Sequence, residues 1–125
     1  MIFDTSAWIE FFQGTQQGKK VGEVLSRGEN FTSIVSIAEL INWCLRSNKA
    51  DRIDEYVNGI KKGSEILELN EDIVKIAGFI SYQRKKIISK WGMMDSFILA
   101  TAQIYNLKIL TKDRQFSGLP NIELL

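Results

Sequence analysis

Four acids in this chain stand where a fold could bring them together. Asp4 follows the apolar run Met1-Ile2-Phe3, and Glu39 closes Ser36-Ile37-Ala38-Glu39. Asp95 follows Gly92-Met93-Met94, and Asp113 follows Leu110-Thr111-Lys112. Gathered carboxylates repel one another, and a divalent cation is the simplest agent that makes such a cluster tolerable. The chain has no histidine. That removes the commonest general base, the Ser-His-Asp and Cys-His nucleophile systems and the usual zinc ligand. An all-oxygen ligand set suits Mg²⁺, with Mn²⁺ as a substitute, and Mg²⁺ takes few protein carboxylates, which leaves room for phosphate oxygens. The residue types point to metal-assisted phosphoryl chemistry.

To position these acids the chain needs strands that hand over to helices. Met1 to Phe3 reads as a strand, and Ser6 as the N-cap of a helix over Ala7 to Phe12 that stops at Gly14. Gly18 to Arg27 reads as a second helix. Asn30 to Val35, rich in β-branched residues, reads as a strand. From Ser36 the apolar residues Ile37, Leu40, Ile41, Cys44 and Leu45 recur at helical spacing, with Glu39 in the first turn. A helix over Asp51 to Lys62, a short strand over Glu65 to Leu69, and a helix capped by Asn70 and running to about Ile88 follow. Trp91-Gly92 breaks the pattern, and Asp95 opens a nearly all-apolar helix through Tyr105. Lys108 to Thr111 and Asn121 to Leu125 read as the last strands.

Alternating strands and helices predict an α/β fold, a three-layer α/β/α sandwich with a mainly parallel central sheet of four to five strands. Ligands of such sheets bind at the carboxyl ends of the strands. Asp4 and Asp113 follow strands, and Glu39 and Asp95 occupy helix starts, so all of them can gather along one edge. The 125 residues predict a single domain, residues 1–125. Sixteen Lys and Arg against fifteen Asp and Glu leave a net charge of +1, so any attraction to nucleic acid must come from local patches. One cysteine, Cys44, excludes an internal disulfide, and neither a signal peptide nor a membrane-spanning run is visible. The expected location is the cytoplasm.

The segments Phe3-Asp4-Thr5-Ser6-Ala7-Trp8, Ser36-Ile37-Ala38-Glu39-Leu40, Met94-Asp95-Ser96-Phe97-Ile98-Leu99-Ala100-Thr101-Ala102 and Leu110-Thr111-Lys112-Asp113-Arg114-Gln115-Phe116 together resemble a PIN domain of the VapC toxin type. The resemblance spans essentially the whole chain. It implies a PIN-like sandwich and a Mg²⁺- or Mn²⁺-dependent endoribonuclease, the toxin of a toxin-antitoxin pair. It further implies that Asp4, Glu39, Asp95 and Asp113 hold the metal, supported by the hydroxyls of Ser6 and Thr111. RNA cut to a 5′-phosphate and a 3′-hydroxyl, a homodimer and a cognate antitoxin are implied with it. One departure is Gln115, at a position where many relatives carry a further acid; a second metal site would be weaker or absent.

Other readings of the same residues exist. Ser36 and Glu39 form a capping-box pattern, Asp95 suits a helix cap, and Asp4 and Asp113 suit turns. Glu10 reads as a solvated helix residue. Arg84, Lys85 and Lys86, with Lys90, form the densest basic cluster and are candidates for RNA binding, with Lys112 and Arg114 behind them. Trp8 and Trp43 read as core, and Trp91, beside a glycine, as exposed. Exposed apolar parts from Trp8 to Phe12 and around Leu40 to Trp43 offer a groove for an antitoxin segment. Competing functions are a noncatalytic RNA- or protein-binding module and a receiver-like signalling domain. The latter lacks here its paired acids after the first strand and its central phosphoacceptor.

Overall fold

The computed structural model describes residues 1–125. In chain order the elements are β1 (Ile2–Phe3), α1 (Thr5–Gln13), α2 (Gln16–Leu25), β2 (Phe31–Ser33), α3 (Ile34–Arg46), α4 (Ile53–Gly63), β3 (Glu65–Leu67), α5 (Glu71–Lys85), α6 (Met93–Tyr105), β4 (Ile109–Thr111) and β5 (Ile122–Leu124). Short 3₁₀ turns occupy Ala50–Arg52 and Arg114–Phe116. The strands form one parallel five-stranded sheet in the order β3-β2-β1-β4-β5.

Three layers follow from the two-residue period of the strands. In β1, Ile2 turns into a core with Trp91, Ile98, Leu99, Ile109 and Phe116, while Phe3 turns into a second core with Trp8, Leu40, Tyr56, Ile60 and Leu110. Ile109 and Leu110 of β4 divide in the same way. Helices α5 and α6 therefore cover one face, and α1, α2 and α4 the other. The chain leaves β1 toward β2 and β3, then returns to the far side of β1 as β4, so the topology reverses between β1 and β4. A crevice opens at the carboxyl ends of strands at such a reversal. Asp4 and Asp113 sit there.

Several boundaries differ from the sequence expectation. Asp4, not Ser6, occupies the N-cap position of α1, with φ −68° and ψ 157°. Thr15 caps α2 by accepting the Gly18 N–H, which starts that helix earlier than Gly18. β2 ends at Ser33, whose Oγ accepts the Val35 N–H, so α3 begins at Ile34 and Ser36 lies inside it, its hydroxyl buried and unpaired. No capping box forms at Ser36, and Glu39 falls in the second turn. Gly92, not Asp95, stands at the N-cap of α6. Helix α5 ends at Lys85, and Ile87 is 75% exposed. No helix is long and apolar enough to cross a membrane.

Candidate active site

The main chain of Asp4 is locked into the sheet and helix: its N–H donates to the Leu110 carbonyl (3.0 Å), and its carbonyl accepts from Ala7 (3.0 Å). The carboxylate does not cap α1. Its Oδ2 accepts instead from the Thr111 hydroxyl (2.7 Å) and the Ser6 hydroxyl (2.9 Å). Both hydroxyls are themselves oriented by the turn after β4. Asp113 N–H donates to Thr111 Oγ1 (2.9 Å), and Lys112 N–H donates to Ser6 Oγ (3.0 Å). The same turn fixes Asp113, whose Oδ1 accepts the Gln115 N–H at 2.9 Å.

The other acids come from helices. Glu39 Oε1 accepts from the Thr5 hydroxyl at 2.7 Å, across 34 residues of sequence. Asp95 Oδ2 accepts the Gly92 N–H at 3.2 Å, an acid at a helix N-terminus where negative charge is favoured. Each carboxylate is thus fixed through one oxygen, and the second oxygens of Glu39, Asp95 and Asp113 carry no such bond.

Asp4, Glu39, Asp95 and Asp113 line one cleft, together with Thr5, Ser6 and Arg46. Their crowding shows in their acidities. Burial pushes Glu39 up to about 7, against the Thr5 hydrogen bond, and the charges of Asp4, Asp95 and Asp113 push in the same direction. Burial likewise raises Asp95 to about 6, with Asp4 and Asp113 adding to it. Asp4 is raised chiefly by burial, moderated by Thr111 and Ser6. This is an oxygen-only donor set of excess negative charge that protonation or a cation would relieve. Arg46, the one basic residue lining the cleft, forms no ion pair with any of the acids. The oxygen-only donor chemistry is the kind a hard divalent cation takes, while no three of these acids stand close enough together here to ligate one ion.

The basic residues fare differently. Arg84 turns inward: its Nη2 donates to the Gln115 carbonyl (2.7 Å) and its guanidinium stacks 4.8 Å from the Trp91 ring centroid. Lys112 pairs at 2.5 Å with Glu10, which is buried, drawn down in pKa by Lys112 and Thr15, and not solvated as its sequence setting implies. Lys85, Lys86, Lys90 and Arg114 are exposed, and none of them lines the acidic cleft. Lys86 lies over the Tyr82 ring at 4.2 Å.

Trp91 is 1% exposed, not a surface residue. Its indole N–H donates to Ser96 Oγ (2.7 Å) and its ring meets Phe116 edge-on, so the loop before α6 is pinned from inside. Trp8 is core, and Trp43 is half-buried at the cleft wall. Reading the sequence missed Thr5, Gly92 and Arg46. Thr5 carried a signal, a second hydroxyl directly after the strand-end acid; Arg46 carried only its charge.

A family model described as PIN domain matches residues 1–121. No curated protein sequence matches the chain. Among solved structures, the chain is similar to a toxin-antitoxin complex from Klebsiella pneumoniae, at 22% identity and TM-score 0.73, covering 98% of this chain and 94% of that one. It is similar also to VapBC2 from Rickettsia felis bound to a promoter DNA fragment, at 17% identity and TM-score 0.75, covering 100% and 98%. A third is VapC20 of Mycobacterium tuberculosis, a sarcin-ricin loop cleaving toxin, at 14% identity and TM-score 0.76, covering 99% and 98%.

Proposed function

The chain belongs to the PIN domain family, and from that premise we propose that it is a Mg²⁺-dependent endoribonuclease, the toxin of a toxin-antitoxin pair. The observation that carries this reading is the convergence of Asp4, Glu39, Asp95 and Asp113 on one cleft, each fixed through one oxygen. Toxin-antitoxin assemblies and a sarcin-ricin loop cleaving toxin among similar folds support it.

Asp4, Glu39, Asp95 and Asp113 would hold the cation, with Mn²⁺ able to substitute for Mg²⁺. When bound, it supplies a lowered pKa for water and charge stabilisation at the phosphate. The chain's own residues do the rest. Thr111 and Ser6 donate to the Asp4 carboxylate and so favour its charged form against the burial that raises its pKa. Thr5 acts in the same direction on Glu39. Glu39, Asp95 and Asp113 each keep a second oxygen free of hydrogen bonds, and one of these acids would accept a proton from an attacking water. The Gly92 amide keeps Asp95 aimed from the start of α6.

Regulation follows from the surface beside the acids. Ile9 and Trp43 line the cleft half-buried, and Phe11 is 36% exposed on α1. An apolar antitoxin segment would seat there, with a basic side chain reaching the carboxylates. The active species would be a cytoplasmic homodimer. Incubation of purified protein with cellular RNA in Mg²⁺, followed by ligation of adaptors that require a 5′-phosphate, tests the reaction. Adaptor-tagged internal ends that EDTA abolishes are the expected result; their absence from folded, antitoxin-free protein would refute it.

A further inference from the structure

A cleft lined by four carboxylates repels the polyanion it is proposed to cut, and bound cation can answer that only at the scissile phosphate. Neighbouring phosphates need a positive group of the protein. Two of the basic residues near the acids are committed, and Arg114, though free, does not line the cleft. Lys112 is paired with buried Glu10, and Arg84 is tied to Gln115 and Trp91.

Arg46 is not committed. It ends α3, is exposed, and makes no side-chain hydrogen bond or ion pair. It lines the acidic cleft and also an adjoining groove formed by Ala38, Glu39, Asn42 and Met94. Glu39, Asn42 and Arg46 are spaced by three and four residues, which places them along one face of α3. At 1.5 Å of rise per residue, the backbone of Arg46 lies about 10 Å along the helix from that of Glu39, at the far end of the cleft wall that α3 supplies. A carboxylate, an amide and a guanidinium thus line a continuous path leading out of the cleft. A guanidinium presents a rigid fork matched to phosphate oxygens, and an exposed asparagine adds a donor.

We propose that Arg46, assisted by Asn42, forms a phosphate subsite for the RNA strand on the α3 side of the cleft, next to the scissile bond. This rests on the ribonuclease reading above. An arginine in the last turn of a helix also complements the helix dipole, but that role is a matter of stability and leaves RNA affinity unchanged.

The test is binding of a fluorescent single-stranded oligouridylate to the full chain in Mg²⁺, with Asp4→Asn in every protein to prevent cleavage, over about 50 to 200 mM salt. Arg46→Gln should weaken binding about tenfold and lower the slope of log affinity against log salt by about 0.7, the loss of one phosphate contact to a single strand. Arg46→Lys should keep the slope. Thermal unfolding of each variant separates these effects from damage to α3. An unchanged slope and affinity in Arg46→Gln would overturn the subsite, as would failure of the Asp4→Asn protein to bind the oligonucleotide. Cleavage is scored separately with Asp4 intact. RNA cut equally well by wild type and Arg46→Gln sinks the subsite alone; RNA cut by neither sinks the ribonuclease reading, while the salt slope still decides the subsite.

Discussion

Thr111 Oγ1 donates to Asp4 Oδ2 at 2.7 Å across 107 residues of sequence, joining the ends of two neighbouring strands. The hydrogen bond opposes the burial that raises the Asp4 pKa. Thr111→Val keeps the shape and removes the donor, so the Asp4 pKa rises further. Loss of such an outer partner should lower activity about 10- to 100-fold. In a pH profile of kcat/KM the acid limb should move to higher pH. An unmoved acid limb would show that Thr111 does not act through Asp4.

The crowded acids also set a pH dependence of stability. Glu39 and Asp95 have ordinary values of 4.5 and 3.8 and sit at about 7 and about 6 in the folded chain. The folded state therefore binds more protons than the unfolded state between these limits, and stability falls as pH rises through that window. In EDTA, the Tm should be higher at pH 5 than at pH 8, and Glu39→Gln should flatten the difference. Mg²⁺ or Mn²⁺ should raise Tm more at pH 8 than at pH 5, because the cation binds the ionised acids. A metal-free Tm that rises over this range would contradict the electrostatic picture.

Arg84 supports the site from behind. It holds the carbonyl of Gln115, the residue whose N–H fixes Asp113, and stacks on Trp91. Arg84→Ala should destabilise the fold by about 1–3 kcal/mol in urea denaturation, the loss of a charged hydrogen bond and a desolvated cation–π contact. Its RNA-binding salt slope should match the parent's. A reduced slope with unchanged stability would return Arg84 to the RNA-binding surface.

The close pairing of α1 and α2 depends on Gly18. A Cβ there would stand 2.1 Å from the Glu10 carbonyl oxygen, a backbone atom with little room to yield. Glu10 in turn anchors Lys112. Gly18→Ala should cost about 1–3 kcal/mol or more, read as a lowered urea midpoint, whereas Gly78→Ala, where a Cβ meets nothing within 4 Å, should be neutral or stabilising. Equal effects of the two would contradict the packing.

The alternation of strands and helices and the position of each acid relative to them were legible in the sequence, because strand-end acids and helical periodicity are local patterns. The boundaries at Ser33, Gly92 and Thr15 were less so. Serines and acids near a helix start compete for the same cap, and tertiary pairing chose among them: Thr5 took Glu39, and Thr111 took Asp4. Arg84, Trp91 and Glu10 were misread for one shared reason. A charge or an indole beside a loop looks exposed until its partner is known: Gln115 and Lys112 lie 31 and 102 residues from Arg84 and Glu10, and Ser96, only 5 from Trp91, sits across the helix boundary. The parallel order of the sheet, which puts β4 beside β1, brings Lys112 and Gln115 within reach.

If the four acids act as one cation-dependent ribonuclease site, wild type incubated with structured cellular RNA makes discrete cuts in Mg²⁺ or Mn²⁺ and none in EDTA, and folded Asp4→Asn protein makes none under any of these conditions. Cuts that persist in EDTA or in Asp4→Asn would contradict it.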